Sequence, residues 1–194
     1  MSIHPFTGET FVAFTDIAGF KSMMEDERAA VALDAFYSVG YNVLHHQRQG
    51  GERVEGLFIS DSAVLFVGRN TLDPTAKLRS LCLVLQEIHR RTFENAIQLT
   101  SSIAWGEFSY HERIEFPGIR KDPIFGNGYI SAYMDNEIGQ PKLYPSECRV
   151  VRKNLPQTVT DFCAARVGTV AQQMRVTRDH FYYEWMRAEG ESLF

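Results

Sequence analysis

Two carboxylates, Asp16 and Asp61, stand where chemistry is easiest to build. Asp16 closes the apolar run Phe11-Val12-Ala13-Phe14-Thr15, which reads as a buried strand. Asp61 lies between two β-rich runs, Arg53–Ser60 and Ser62–Val67, which the pattern joins as a hairpin with Asp61 at its tip. Taken singly, each has an ordinary explanation. An Asp between a strand and a helix is commonly an N-cap, and an Asp in a tight turn commonly shapes the turn. Together at one edge of one sheet they offer hard oxygen donors for a pair of divalent cations, the arrangement that two-metal phosphoryl transfer requires. Ile17-Ala18-Gly19-Phe20 follows Asp16 at a helix start, where successive backbone amides make a cradle for phosphate oxygens. Gly19 lets the backbone approach a triphosphate with no Cβ between.

The elements that must position these residues follow from periodicity. Val31, Ala35, Val39 and Val43, with Ala32, Phe36 and Leu44 beside them, repeat at helical spacing and stop before Gly50-Gly51. Asp73-Pro74 opens a second long helix with Leu78, Leu81, Leu85 and Ile88 on its stripe. Leu99–Phe108 reads as a strand, Pro117-Gly118 to Pro123 as a polar loop, and Gly128 to Ile138 as a short helix. Arg149–Val151 and Phe181–Trp185 read as further strands around an amphipathic piece near Thr158–Val167. The order predicts an α+β fold with a ferredoxin-like βαββαβ core, an antiparallel-rich sheet and helices on one face.

Composition narrows the rest. The 194 residues are 44% apolar and 23% charged, which predicts a single domain over residues 1–194 with a real core and excludes disorder. A net charge of -4 argues against nucleic acid as a partner, since phosphate binding wants a basic face. Cys82, Cys148 and Cys163 have no metal-ligand spacing and read as reduced, buried thiols. The longest apolar runs are too short for a membrane span, and Met1–Glu9 lacks the pattern of a secretory signal, so the expectation is a cytoplasmic protein without membrane contact.

Phe14-Thr15-Asp16-Ile17-Ala18-Gly19-Phe20 followed by Phe58-Ile59-Ser60-Asp61-Ser62 resembles the catalytic domain of class III nucleotidyl cyclases, whose second motif carries a Gly-Asp pair in a hairpin. Trp105-Gly106-Glu107 and Gly126 before a helix extend the resemblance over Phe11 to Ile138. It implies Asp16, Asp61 and the Ile17 carbonyl as ligands of two divalent cations, Mn²⁺ or Mg²⁺. It also implies nucleotide contacts at Phe14, Ile17, Ala18, Gly19, Phe20 and Leu57, and a homodimer with composite sites.

The departures are as informative. The purine-reading Lys position is Leu57, which cannot donate a hydrogen bond, and its acidic partner position is Pro123, beside Asp122. The transition-state Asn and Arg positions fall on Ile130 and Met134. A one-residue slip places Tyr129 and Tyr133 there, four apart on one helix face. Arg53, Arg120 and Lys121 are candidates for the missing cation. Loss of the purine readers is similar to the Pycsar pyrimidine cyclases of bacterial antiphage defence. That resemblance implies conversion of UTP to cyclic UMP, with cyclic CMP from CTP as the alternative. A nucleotide-binding dimerisation module without catalysis, and another two-metal enzyme on the same scaffold, remain open at this point.

Overall fold

The computed structural model describes residues 3–49, 54–68, 72–111, 113–116, 119–121, 123–166 and 168–187. The chain runs β1 (Phe6–Ile17), α1 (Phe20–Glu25), α2 (Ala29–Gln49), β2 (Val54–Ile59), β3 (Ser62–Val67), α3 (Pro74–Glu94) and β4 (Leu99–Tyr110). Then come β5 (Arg113–Phe116), β6 (Ile119–Lys121), β7 (Ile124–Phe125), α4 (Asn127–Ile138) and β8 (Cys148–Val151). The chain continues through α5 (Gln157–Ala165), α6 (Thr169–Gln172), β9 (Met174–Val176) and β10 (His180–Tyr183) into a 3₁₀ turn, Trp185–Arg187.

The main sheet has the order β2-β3-β1-β4-β8-β10-β9, with β7 pairing outside β4. Its pairings are antiparallel except for β4 with β8. The first four strands give the βαββαβ arrangement that the periodicity predicts. The predicted placement of helices on one face is wrong, and β1 shows why. Phe11 and Ala13 point to a core completed by α2 and α3, whereas Val12 and Phe14 point to a second core with Ala132 of α4. Side chains alternate along a strand, so a run buried on both faces needs helices on both faces.

Helix α2 also differs in rotation. Val31 is 73% exposed, while Ala32, Phe36, Val43 and Leu44 are buried. At 100° per residue, the stripe through 32, 36, 40 and 43 competes with the one through 31, 35, 39 and 43. The bulkier Phe36 decides for the first. Helix α3 starts as read: the Asp73 side chain accepts from the Ala76 amide at 3.0 Å, and Pro74 occupies the first turn. The polar stretch before Pro123 contains the β5–β6 ribbon.

Helix α4 sits close on β4 because two glycines allow it. A Cβ at Gly106 would lie 2.1 Å from Asn127 Oδ1, and one at Gly126 would lie 2.2 Å from the Glu107 carbonyl oxygen. Phe181, Tyr182 and Tyr183 are buried as packing residues, and Trp185 falls in the 3₁₀ turn rather than in the strand. All three cysteines are buried free thiols. Among the described residues no helix is long and apolar enough to cross a membrane.

Candidate active site at the β1 end and the β2–β3 tip

The β1 register places Asp16 opposite Ser62 on β3 and Thr100 on β4. The hairpin turn is Ser60-Asp61, with Ser60 in the left-handed region at φ 54. This is the position where the resembling motif has glycine, and Ser60 here takes up a positive φ that glycine adopts without a Cβ penalty. The Ile17 amide donates to the Asp61 carbonyl at 3.0 Å, which ties the turn to the end of β1. Asp16 and Asp61 therefore meet at one sheet edge.

Asp16 is half-buried and accepts a 2.9 Å hydrogen bond from Ser62 Oγ on its Oδ1. Burial is the largest influence on its carboxyl. The Ser62 bond opposes it, the charges of Asp61 and Glu137 add to it, and the pKa rises from 3.8 to about 6. No ion pair joins Asp16 or Asp61 to a cationic side chain among the described residues. Crowded carboxylates without a counter-charge suit a divalent cation. The donors are oxygens, as Mg²⁺ and Mn²⁺ prefer. No cluster of three or more His, Cys, Asp or Glu is placed to cage a metal among the described residues. Cations here would complete their shells with water and phosphate oxygens, the usual situation for Mg²⁺ in phosphoryl-transfer sites. The residues fit the group.

The phosphate cradle is narrower than the sequence suggests. The Ile17 amide is spent on Asp61, and the Ala18 amide donates to the Gln98 carbonyl at 2.9 Å. Gly19, at φ 76, caps α1, and nothing lies within 4 Å of where its Cβ would be. The open amides are those beginning at Gly19 and Phe20, where helix geometry leaves the first N–H groups without intrahelical acceptors. The Phe20 side chain is buried in the core.

The remaining candidates lie on the α4 side of the sheet. Phe14 and Leu57 are buried in the second core. Tyr133 meets the Phe14 ring edge-on at 5.1 Å, and Tyr129 stacks on Tyr133 at 6.2 Å. Phe14, Leu57, Tyr129 and Tyr133 thus belong to one apolar layer. Ile130 and Met134 are 56% and 42% exposed, so packing within this chain does not account for them. With Ile138 they form an apolar row along the outside of α4. Arg53 and Asp122 lie outside the described residues, as do the side chains of Arg120 and Lys121.

Two features of α4 carry no sequence signal. Glu137 lies in the field of Asp16 at the end of α4 that Asn136 ties to the sheet, donating to the Phe14 carbonyl at 3.4 Å and accepting from Thr100 Oγ1 at 3.3 Å. Asp135 is fixed by fully buried Arg149 (Nε 2.8 Å, Nη2 3.0 Å), by His180 Nε2 at 2.8 Å and by the Ser102 hydroxyl. Burial pushes the Asp135 carboxyl up, but the bonds from His180, Arg149 and Ser102 outweigh it and hold the pKa below the usual value.

Solved structures with this architecture decide the fold. The adenylyl cyclase CyaB from P. aeruginosa aligns with TM-score 0.59 at 13% identity, over 93% of this chain and 95% of that one. The chain has the class III nucleotidyl cyclase fold. A dimeric guanylyl cyclase domain of the RhoGC fusion protein from Blastocladiella emersonii aligns with TM-score 0.61 at 11% identity, over 93% and 97%. The guanylate cyclase domain of RhGC from Catenaria anguillulae, solved in complex with GTP, aligns with TM-score 0.53 at 13% identity, over 77% and 80%. By sequence, no family model and no curated protein matches the chain. The likeness is thus one of topology, at 11–13% identity.

Proposed function

We propose that the chain is a nucleotidyl cyclase that converts UTP to 3′,5′-cyclic UMP and pyrophosphate, working as a single-domain homodimer. The observation that carries this reading is the meeting of Asp16 and Asp61 at one sheet edge, with no cationic partner among the described residues, on a cyclase fold. Asp16, Asp61 and the Ile17 carbonyl hold two divalent cations, which supply Lewis acidity to the ribose 3′-hydroxyl and charge neutralisation to the phosphates. Ser62 orients the Asp16 carboxylate through its 2.9 Å bond. The Ile17–Asp61 backbone bond keeps the second carboxylate in register. The amides from Gly19 onward receive phosphate oxygens. The 3′-oxygen bonds to the α-phosphorus, the bond from that phosphorus to the bridging oxygen breaks, and pyrophosphate leaves while the hydroxyl proton passes to solvent.

What the two purine-reading positions lack supports a pyrimidine over a purine, and UTP over CTP rests on the resemblance to the Pycsar cyclases. Leu57 is buried among apolar side chains, and Pro123 has no side-chain acceptor where the resembling motif has an acid, so neither purine-reading position offers a side-chain partner to a purine edge. The apolar row on α4 is the face on which a second copy packs, and the dimeric neighbour supports that assembly. A pyrimidine product fits second-messenger synthesis in bacterial antiphage defence.

The test is incubation of the purified protein with Mn²⁺ and ATP, GTP, CTP or UTP separately, with products resolved by mass. Cyclic UMP as the dominant product is expected. Cyclic CMP in its place moves the base assignment alone, cyclic AMP refutes the reading of Leu57 and Pro123, and no product from folded dimer leaves a nucleotide-binding module.

A further inference from the structure

Where β8 begins and β10 ends, a cleft of about 420 Å³ opens, lined among others by Ser146, Glu147, Arg175, Tyr182, Trp185 and Met186. Its size is that of a small-molecule site. Strand β4 stands between β8 and β1, so the cleft is separate from the carboxylate edge. Its aromatic walls are held from behind. Trp185 Nε1 donates to the Ser146 carbonyl at 2.7 Å, and the indole packs on His89 with ring centroids 5.1 Å apart. The Tyr182 hydroxyl accepts from Arg149 Nη1 at 3.3 Å, and the Arg175 guanidinium lies 4.3 Å from the Tyr182 ring centroid. The polar atoms of both rings are thereby committed within the fold, and ring carbon is what they offer the cleft. Met186, 59% exposed, adds a flexible thioether.

Two polar groups of the lining are left over. Ser146 is 9% exposed, and its buried hydroxyl has no hydrogen-bond partner, a condition that folded chains seldom leave uncompensated. Glu147 accepts from the Tyr144 amide at 2.9 Å but forms no ion pair among the described residues, whereas the neighbouring Glu184 is paired with Arg175 at 3.1 Å. We propose that this cleft binds a small aromatic amine, its ring against Trp185 and Tyr182 and its ammonium shared by the Glu147 carboxylate and the Ser146 hydroxyl. An ammonium supplies both what the carboxylate lacks in charge and the N–H that the hydroxyl oxygen can accept, and aromatic faces attract it further. An anion of the same shape meets the Glu147 charge, and a neutral alcohol gains the hydroxyl bond alone. The inference uses no residue of the carboxylate edge and stands apart from the cyclase reading.

Trp105 and Trp185 are the two tryptophans of the chain, so the ¹⁵N-labelled protein carries its own reporter and its own control. The whole chain is titrated with phenethylamine, 2-phenylethanol and 3-phenylpropionate in turn, and the indole N–H signals are followed. Phenethylamine should shift the Trp185 signal saturably with a Kd of about 1 mM, leaving Trp105 in place, while the alcohol binds about tenfold more weakly and the carboxylate not at all. Ser146→Ala should weaken phenethylamine about tenfold, the scale of one charge-assisted hydrogen bond, without lowering the melting temperature, because that hydroxyl has no partner to lose. Glu147→Gln, which still accepts from the Tyr144 amide, should bring phenethylamine down to the affinity of the alcohol. Absence of a saturable Trp185 shift up to about 10 mM phenethylamine overturns the proposal. Equal binding of the three probes overturns it too, since it marks an unselective apolar crevice, as does undiminished affinity in either variant.

Discussion

Replacing Asp16 by Asn should make the metal-free protein more stable while removing its capacity to bind a cation. The carboxyl is lifted from 3.8 to about 6, chiefly by burial, with Asp61 and Glu137 adding to it against the Ser62 bond. Ionising a group so perturbed costs the folded state about 3 kcal/mol. Asp16 is half-buried rather than enclosed, and solvent screening reduces this to about 1.5 kcal/mol. The sign is fixed by which state holds the proton. Below pH 3.8 the group is protonated in both states and contributes nothing. Between 3.8 and about 6 the unfolded chain ionises first, so the native state loses stability as pH rises, and above 6 the penalty is complete. Asn escapes this penalty and can still accept from Ser62. In EDTA at pH 8 the variant should melt about 3–6 °C above the unaltered chain, given about 2–4 °C per kcal/mol for a chain of this size. The gap should close toward pH 4. Mn²⁺ should then raise the melting temperature of the unaltered chain alone, because only a ligand that binds the native state stabilises it. Thermal unfolding over pH 4–8 with and without Mn²⁺ measures all of this. An Asn variant that melts at or below the unaltered chain at pH 8 refutes the argument that this edge is an electrostatically strained carboxylate pair awaiting a cation.

Two further outcomes test the elements around the site. Arg149→Met removes the buried partner of Asp135 and strands a carboxylate that His180 and Ser102 alone must satisfy; urea unfolding should show a loss of about 3 kcal/mol or more. Ile130→Asp places a charge in the exposed apolar row of α4; it should leave unfolding within about 0.5 kcal/mol of the original while sedimentation shows self-association abolished.

What the sequence discloses about this fold is what depends on neighbours in the chain. Asp16 at a strand end and Asp61 in a two-residue turn are local patterns, and strand pairing converts them into one site. The loss of the Ile17 and Ala18 amides to Asp61 and Gln98 is settled by pairing across the sheet, which no local pattern encodes. The rotation of α2 was ambiguous because Val31 and Ala32 lie on overlapping stripes, and burial of Phe36 resolved it. The side on which α4 packs was hidden for another reason: β1 is apolar on both faces, so its composition does not say which helix covers which face. Glu137 reaches the field of Asp16 through the packing of α4 on the sheet, which no local pattern encodes.

Charge balance makes the sharpest demand on the cyclase reading. A pair of divalent cations offsets the charge of a bound triphosphate, but Asp16 and Asp61 then remain as excess negative charge with Glu137 in the same field. Phosphoryl transfer concentrates charge on the non-bridging and leaving oxygens, and cationic side chains commonly answer it. Helix α4 carries no Lys or Arg, and Arg149, the buried arginine behind the helix, is committed to Asp135. The compensating cation must therefore come from a side chain outside α4. Arg53, Arg120 and Lys121 of this chain are the candidates for that cation, and a side chain of a second copy packed on the apolar row of α4 is the alternative. Charge reversal of each candidate decides between them: the one whose replacement by Glu abolishes turnover while Mn²⁺ binding persists is the compensating cation.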